Sequence, residues 1–337
     1  MQTATIAGVP VVKIGHGLMM MTWIPTPPPE EQCFEAIKAG VDNAPPGVKV
    51  FLNSGEFYGM LPNTAANLEL LNRFFTKYPD YADRTFLSVK GALTLDAEGY
   101  HFDSSEAGLE RSINNIIAKL GPNKKVDLFE CARVDPNVPT EDVIKVLNKY
   151  VESGKIGAIG MSECSADTLE RAGKVGKIAV VEIEISPWSF EEETQKVINK
   201  AAEMGTVVAA YSPLGRGFLT GKLKVEDMDK SDIRNHIPRF SDQEAVQKNQ
   251  NIVKALTEIA EKKGVTTAQL CLAWVSALGP HVVSIPGSSR AERTLENMAA
   301  ASIVLSEEEL KEINHALEAN PVHGLRTHPA AVKYSWS

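Results

Sequence analysis

Three side chains in this sequence are placed for proton chemistry: Asn53, Tyr58 and Lys90 each stand at or just past the end of a short apolar run. An oxygen that gains negative charge during a reaction needs a proton donor and a group that stabilises the developing charge. A phenol, with a reference pKa near ~10, is a fair acid for an alkoxide but a reluctant one at neutral pH. A nearby ammonium favours the phenolate and lowers that pKa. Tyr58 and Lys90 would supply the pair. The amide oxygen of Asn53 can accept a hydrogen bond from Lys90 but cannot neutralise it, so an unpaired ammonium is expected to act strongly on Tyr58. Taken singly, the same residues also read as a tyrosine packed at a rim and a lysine in a surface ion pair.

The elements that must position these groups alternate regularly. Residues 48–53 (VKVFLN) form a β-branched apolar run that stops at Ser54-Gly55, a strand entering a turn, and Tyr58 follows five residues after Asn53. Residues 85–90 (TFLSVK) read as a strand ending on Lys90. Further strands are expected over 13–19, 126–131, 155–161, 178–185, 206–211 and 281–285. Apolar residues at helical spacing, with capping residues, predict helices over 29–40, 67–78, 105–120, 140–154, 166–175, 191–204, 247–263, 267–277, 291–301 and 307–319. Residues 3–6 and 11–12 flank Gly8 as a small hairpin, whose second arm Pro10 confines to an edge. The glycines of KIGHGLM at 13–19 suggest close approach of a ligand or another backbone.

The expected architecture is α/β, a (β/α)8 TIM barrel with an N-terminal β-hairpin and a long loop, 214–243, after the seventh strand. In such a barrel chemistry belongs to the carboxyl ends of the strands. A doubly wound sheet would want GxGxxG after its first strand; the glycine-rich loop GRGFLTG at 215–221 comes late and has the wrong spacing. No linker or composition shift divides residues 1–337, so one domain is expected.

With 337 residues, 43% of them apolar, the chain can bury a large core. A net charge of −8 and a pI near 5.5 disfavour nucleic acid or anionic membrane as partners. The four cysteines form no CxxC and the seven histidines no HExxH, so neither a metal site nor a disulfide framework is expected. Residues 18–23 are too short for a leader, and no run reaches the ~18 apolar residues of a membrane span. The expected location is cytoplasmic, or shared between cytoplasm and nucleus, and the chain can be monomer or dimer.

Five patches, FLNSGEFYG at 51–59, SVK at 88–90, GMSE at 160–163, AYSPLGRGFLTGK at 210–222 and IPGSSRAERTLEN at 285–297, stand in the order and separation of one family. The chain resembles the aldo-keto reductases over nearly its whole length, and the variants LNSGEFYG and FECARVDP resemble the fungal pyridoxal reductase branch. The resemblance implies a barrel rim holding an extended NADPH and a tetrad of Asp, Tyr, Lys and His. Tyr58 and Lys90 match two members, whereas Asn53 stands at the aspartate position and Ala132 at the histidine position. Arg133, next to Ala132, either refills the role of the missing histidine, binds the phenolic oxygen of pyridoxal, or points outward to a carboxylate such as Asp135.

The resemblance also assigns cofactor contacts. Ser162 and Glu163 stand where the family binds the nicotinamide carboxamide, Glu182 where it commonly has glutamine, and Tyr211 where a ring stacks on the nicotinamide. The loop from Ser212 through Leu214 and Gly217 to Lys222 offers backbone donors and a terminal cation to a pyrophosphate. Ser288, Ser289, Arg290 and Arg293 at a helix start suit a ribose 2′-phosphate, favouring NADPH over NADH. Glu296 and Asn297 match adenine contacts. The expected activity is NADPH-dependent reduction of a small-molecule aldehyde, pyridoxal to pyridoxine foremost. A broader carbonyl reductase is the alternative, and a non-catalytic cofactor-sensing subunit a third reading. Residues 321–337, with Tyr334 and Trp336, either close over the pocket or pack on the barrel wall.

Overall fold

Strands covered by helices on one side and filling a barrel on the other must be apolar on both faces, and the central strands of this chain are. In the computed structural model, which describes residues 1–230 and 232–336 (Lys333 without its side chain), β1 (Thr3–Ile6) and β2 (Val9–Val12) form the antiparallel hairpin. The barrel strands are β3 (His16–Gly17), β4 (Val50–Gly55), β5 (Thr85–Gly91), β8 (Leu128–Cys131), β9 (Ile159–Ser162), β10 (Ile178–Glu184), β11 (Val207–Tyr211) and β12 (Val282–Ser284). They pair in parallel and in chain order. Parallel bridges Ile14–Ser284 and Gly17–Gly287 join the first strand to the last, so the sheet closes into a (β/α)8 barrel.

The first barrel strand is shorter than expected, with regular pairing only at His16–Gly17. It threads between two neighbours, and Gly15 is the reason it can: a Cβ there would lie 2.6 Å from the Phe51 carbonyl oxygen. The close approach suggested by the glycine pattern is therefore that of backbone. The barrel interior is filled by Phe51, Phe86, Leu128, Val180, Val207, Ala209 and Val283, and the hairpin residues Ile6 and Val11 belong to the same cluster.

The wall helices are α1 (Glu30–Asp42), α2 (Ala66–Lys77), α3 (Glu106–Leu120), α4 (Thr140–Glu152), α5 (Ala166–Gly173), α6 (Glu192–Met204), α8 (Gln243–Lys263), α9 (Thr267–Ala277), α10 (Ala291–Ala299) and α11 (Glu307–Ala319), with a single turn, α7 (Pro238–Ser241), before α8. Helix α8 starts four residues before the expected Gln247, because the Asp242 side chain accepts from the backbone of Glu244 and Ala245 and caps the helix ahead of its apolar stripe. The long loop after the seventh barrel strand holds 3-10 turns at Gly215–Thr220, Val225–Asp227 and Ile233–His236.

One element was missed by the apolar patterning. Residues Leu93–Asp96 (β6) and Gly99–Phe102 (β7) form an antiparallel hairpin just after β5. Its turn is set by Asp96, whose carboxylate accepts from the backbone of Glu98 at 2.8 Å. Among the described residues, no helix is long and apolar enough to cross a membrane.

Candidate active site

The turn after β4 brings Tyr58 back over the strand that precedes it. A Cβ at Gly55 would sit 2.9 Å from the Tyr58 ring, so the absence of a side chain there makes the fold-back possible. Glu56, buried, pins the turn to α3 through Arg111 (2.8 Å), Ser112 (2.5 Å) and Asn115 (2.8 Å). Thr22 donates to the Tyr58 carbonyl at 2.6 Å, and Asn67 holds Thr22 and the Leu18 carbonyl at 2.8 and 2.9 Å. Trp23 stacks on the Tyr58 ring at 5.6 Å. Glu56 and Asn67 were not singled out in the sequence; Glu56 lies inside the LNSGEFYG motif, which was the available signal.

Beneath Tyr58, Lys90 is paired, in contrast to the lone ammonium that Asn53 leads one to expect. Its Nζ donates to Asn53 Oδ1 at 2.6 Å and to Glu182 Oε2 at 2.9 Å, and the same Glu182 oxygen accepts from Asn53 Nδ2 at 2.6 Å. The ammonium lies 5.3 Å from the Tyr58 ring centroid. This also corrects the place of Glu182. Instead of standing free for a carboxamide, it reaches across the barrel, because inward side chains of non-adjacent strands meet in one layer.

The electrostatics follow from burial. Desolvation raises the Tyr58 pKa, Lys90 pulls it back, Glu182 and Glu130 oppose Lys90, and the net shift is upward rather than the lowering expected from lysine alone. Burial disfavours the Lys90 cation, but Glu182, Tyr58 and Glu130 outweigh it and hold the ammonium charged. Glu130, fully buried, is pushed up to about 8 by desolvation and by Glu182, against Lys90 and the hydrogen bond from Ser88. Its Oε2 has no partner. One ammonium cannot balance two carboxylates in a dry core, so Glu130 keeps its proton at neutral pH.

A stability prediction arises here. A carboxyl whose folded pKa lies above its unfolded value binds more protons when folded, so its contribution to stability declines as pH rises from about 4.3 towards 8. Glu130→Gln should remove that decline. Urea denaturation at pH 5 and pH 8 would check it, the variant gaining on the wild type at the higher pH.

Arg133 does not point outward to Asp135. Its Nη1 donates to the Ala132 carbonyl at 2.5 Å, while Asp135 accepts from the Ser104 and Asn137 backbone at 3.0 and 2.9 Å. Its charge acts on Glu163, Tyr211 and Tyr100, and it lines a cavity with Cys131, Met161 and Ser162. Ala132 packs with Phe57, Tyr58 and Leu93.

Along the expected cofactor groove, Ser162 is buried with its hydroxyl unpartnered, an unpaired donor at the end of β9. Glu163 differs from expectation: its carboxylate is already held by the Tyr211 hydroxyl at 2.9 Å and by Arg326 at 2.7 Å. Arg326 also reaches Glu184 at 3.3 Å and lies 4.9 Å over the Trp336 ring, and the Trp336 backbone N–H donates to the Glu163 carbonyl at 2.9 Å. Tyr334 packs on Phe102 at 4.8 Å. The C-terminal segment therefore closes over the rim. Arg326 was missed because nothing local in residues 321–337 marks it as the partner of a carboxylate 163 positions away.

Burial raises the Glu163 pKa, but Arg326, Arg133 and Tyr211 outweigh it and the net shift is downward. The contact is thus stabilising above the unfolded carboxyl pKa of about 4.3 and is lost as pH falls through the folded value. Arg326→Ala should release the segment at neutral pH, seen as faster amide exchange of residues 326–336; unchanged exchange would contradict it.

Ser212 and Gly217 adopt positive φ of 50° and 95°, Leu214 is half-buried between them, and Lys222 is exposed at the loop's end. Ser288 and Ser289 lie in a braced turn: His16 Nε2 donates to the Ser288 carbonyl at 2.8 Å and Gln32 to the Ser289 carbonyl at 2.9 Å. Arg290 and Arg293 stand exposed at the start of α10. Asn297 is buried on the same helix, beside half-buried Glu296. Among the described residues, no cluster of histidine, cysteine, aspartate or glutamate could hold a metal ion.

Comparison with known proteins bears on the family and the fold. Residues 13–318 match the family model described as aldo/keto reductase family. The chain is 35% identical over 327 residues to a probable pyridoxal reductase 2 of Schizosaccharomyces pombe, covering 95% of this chain and 96% of that protein. It is 34% identical to a putative pyridoxal reductase of Saccharomyces cerevisiae, covering 90% and 92%. An aldo-keto reductase of S. pombe described as yakc [NADP(+)] is 33% identical over 98% and 95%. A glycerol dehydrogenase structure from Gluconobacter oxydans shares the fold, with a TM-score of 0.82 and 22% identity over 96% and 97%. The chain thus belongs to the aldo/keto reductase family and is one of its oxidoreductases.

Proposed function

We propose that this enzyme reduces an aldehyde to an alcohol with NADPH, pyridoxal to pyridoxine being the leading reaction. The observation that carries the reading is the buried contact of Tyr58 with Lys90, itself bound to Asn53 and Glu182, at the carboxyl end of the barrel. NADPH, when bound, supplies the hydride. The residues present fit it: the unpartnered Ser162 hydroxyl is a donor for the carboxamide, and exposed Arg290 and Arg293 at the start of α10 suit a phosphate monoester. Tyr58, kept protonated by burial, transfers H⁺ to the carbonyl oxygen as it gains negative charge, and Lys90 stabilises the phenolate left behind. Reprotonation from solvent completes the balance of one hydride and one proton per aldehyde.

The names of the two yeast relatives support pyridoxal, and the name of the S. pombe relative yakc supports NADP(H). Trp23 and Phe102 pack against the cluster that holds Tyr58, with Tyr100 edge-on to Trp23, an aromatic surface suited to a flat ring, and the cationic Arg133 that acts on Tyr100 suits a phenolate oxygen. Consumption of NADPH with pyridoxal, compared with 4-nitrobenzaldehyde and with NADH, tests the reading. Faster turnover of 4-nitrobenzaldehyde would replace it with a broad carbonyl reductase. No consumption with any aldehyde would sink it.

A further inference from the structure

We propose that Glu182 is the positioning carboxylate of this site: the negative charge that fixes Lys90, and through it Tyr58, is delivered across the barrel from β10, and Asn53 is the neutral bridge between the two. The geometry is specific. The Asn53 amide is used at both ends, its oxygen accepting from Lys90 at 2.6 Å and its nitrogen donating to Glu182 at 2.6 Å. An aspartate at 53 would have no N–H for Glu182 and would set two carboxylate oxygens at hydrogen-bond distance with no proton between them. A glutamine at 182 would keep the shape and lose the charge. Positions 53 and 182 therefore form one unit that requires one amide and one carboxylate, and this chain places the carboxylate on the distant strand.

The groups that face Glu182 define what it can influence. Lys90 on β5, Asn53 on β4, Tyr58 beyond the β4 turn and Glu130 on β8 surround it, while its register neighbours on β9 and β11 are the uncharged Ser162 and Ala209. With Glu130 and Tyr58 protonated, the Lys90–Glu182 pair leaves the buried cluster neutral. Remove the Glu182 charge and the ammonium is uncompensated beside the phenol, which favours phenolate. Add a second carboxylate at 53 and the phenolate is opposed.

This inference rests on the reductase reading only for its kinetic arm. The first arm needs neither cofactor nor substrate. Phenolate absorbance of the apo protein is titrated against pH in Glu130→Gln, so that Glu182 is the one carboxyl left acting on both Lys90 and Tyr58, and in Glu130→Gln/Glu182→Gln. Each is measured against its own Tyr58→Phe blank. The Glu182→Gln change should lower the Tyr58 midpoint by about one pH unit or more. An unmoved midpoint overturns the proposal.

The second arm is a rescue. Asn53→Asp and Glu182→Gln should each slow kcat by about tenfold, whereas Asn53→Asp/Glu182→Gln, which keeps one amide and one carboxylate, should return to within about threefold of wild type. A double variant as slow as the product of the two single losses also overturns it. Should the wild type reduce no aldehyde, the reductase reading falls and the titration alone decides this one.

Discussion

Tyr58→Phe is expected to lower kcat for an aldehyde by about 10³-fold while leaving NADPH binding within about twofold of wild type. Phenylalanine keeps the ring that stacks on Trp23 at 5.6 Å and the contact that Gly55 makes possible, so the fold of the turn is preserved and only the acid is lost. General acid catalysis of this kind contributes roughly 10²–10⁴, and burial keeps Tyr58 protonated over the neutral range. The loss should therefore appear in kcat with little change in KM. Wild-type kcat in this variant would mean that the proton comes from elsewhere, with a water held near Arg133 the next candidate. Titrating cofactor fluorescence in parallel separates loss of chemistry from loss of binding.

The second large effect is expected for Lys90→Met, on activity and on stability together. Lys90 and Glu182 are 3% and 4% exposed, so removing the cation strands a buried carboxylate. Breaking such a pair from one side costs about 3–5 kcal/mol when the remaining charge cannot be neutralised. Here it can: Glu182 would take up a proton, as Glu130 already does. Neutralising it is easier at lower pH, so the penalty should be small near pH 4.5 and grow as pH rises. Urea denaturation of wild type and variant across pH 5 to 8 would show the gap widening. A gap independent of pH would mean that Lys90 stabilises by packing alone. Turnover should fall by about 10²-fold or more, because the phenolate left by proton transfer would lose its counter-charge.

These two residues were legible in the chain because their signals are local. A run of alternating β-branched residues that stops at Ser54-Gly55 or at Lys90-Gly91 says where a strand ends, and in a parallel barrel the strand end is where the chemistry sits. Gly15 announced a close backbone approach for the same reason, since lack of a side chain is a property of one position. Helix α8 was placed four residues short because its Asp242 cap lies outside the apolar period, and β6–β7 escaped because ten residues of mixed pattern do not declare a hairpin.

The partners of the charged groups are another matter. Lys90 reads as unpaired from the chain because the aspartate position holds Asn53; its carboxylate lies 92 residues further on, at Glu182, which the family resemblance assigns to the cofactor. Glu163 likewise meets Arg326, 163 residues away. Periodicity and turn chemistry act between neighbours in the chain, so they decide which segments become strands and which residues stand at their ends. Which inward side chains share a layer is decided only when the sheet closes, because closure sets strands that never pair, such as β5 and β10, face to face across the core. The ionisation states of Tyr58, Glu130 and Glu182 depend on that meeting, and so belong to the tertiary structure.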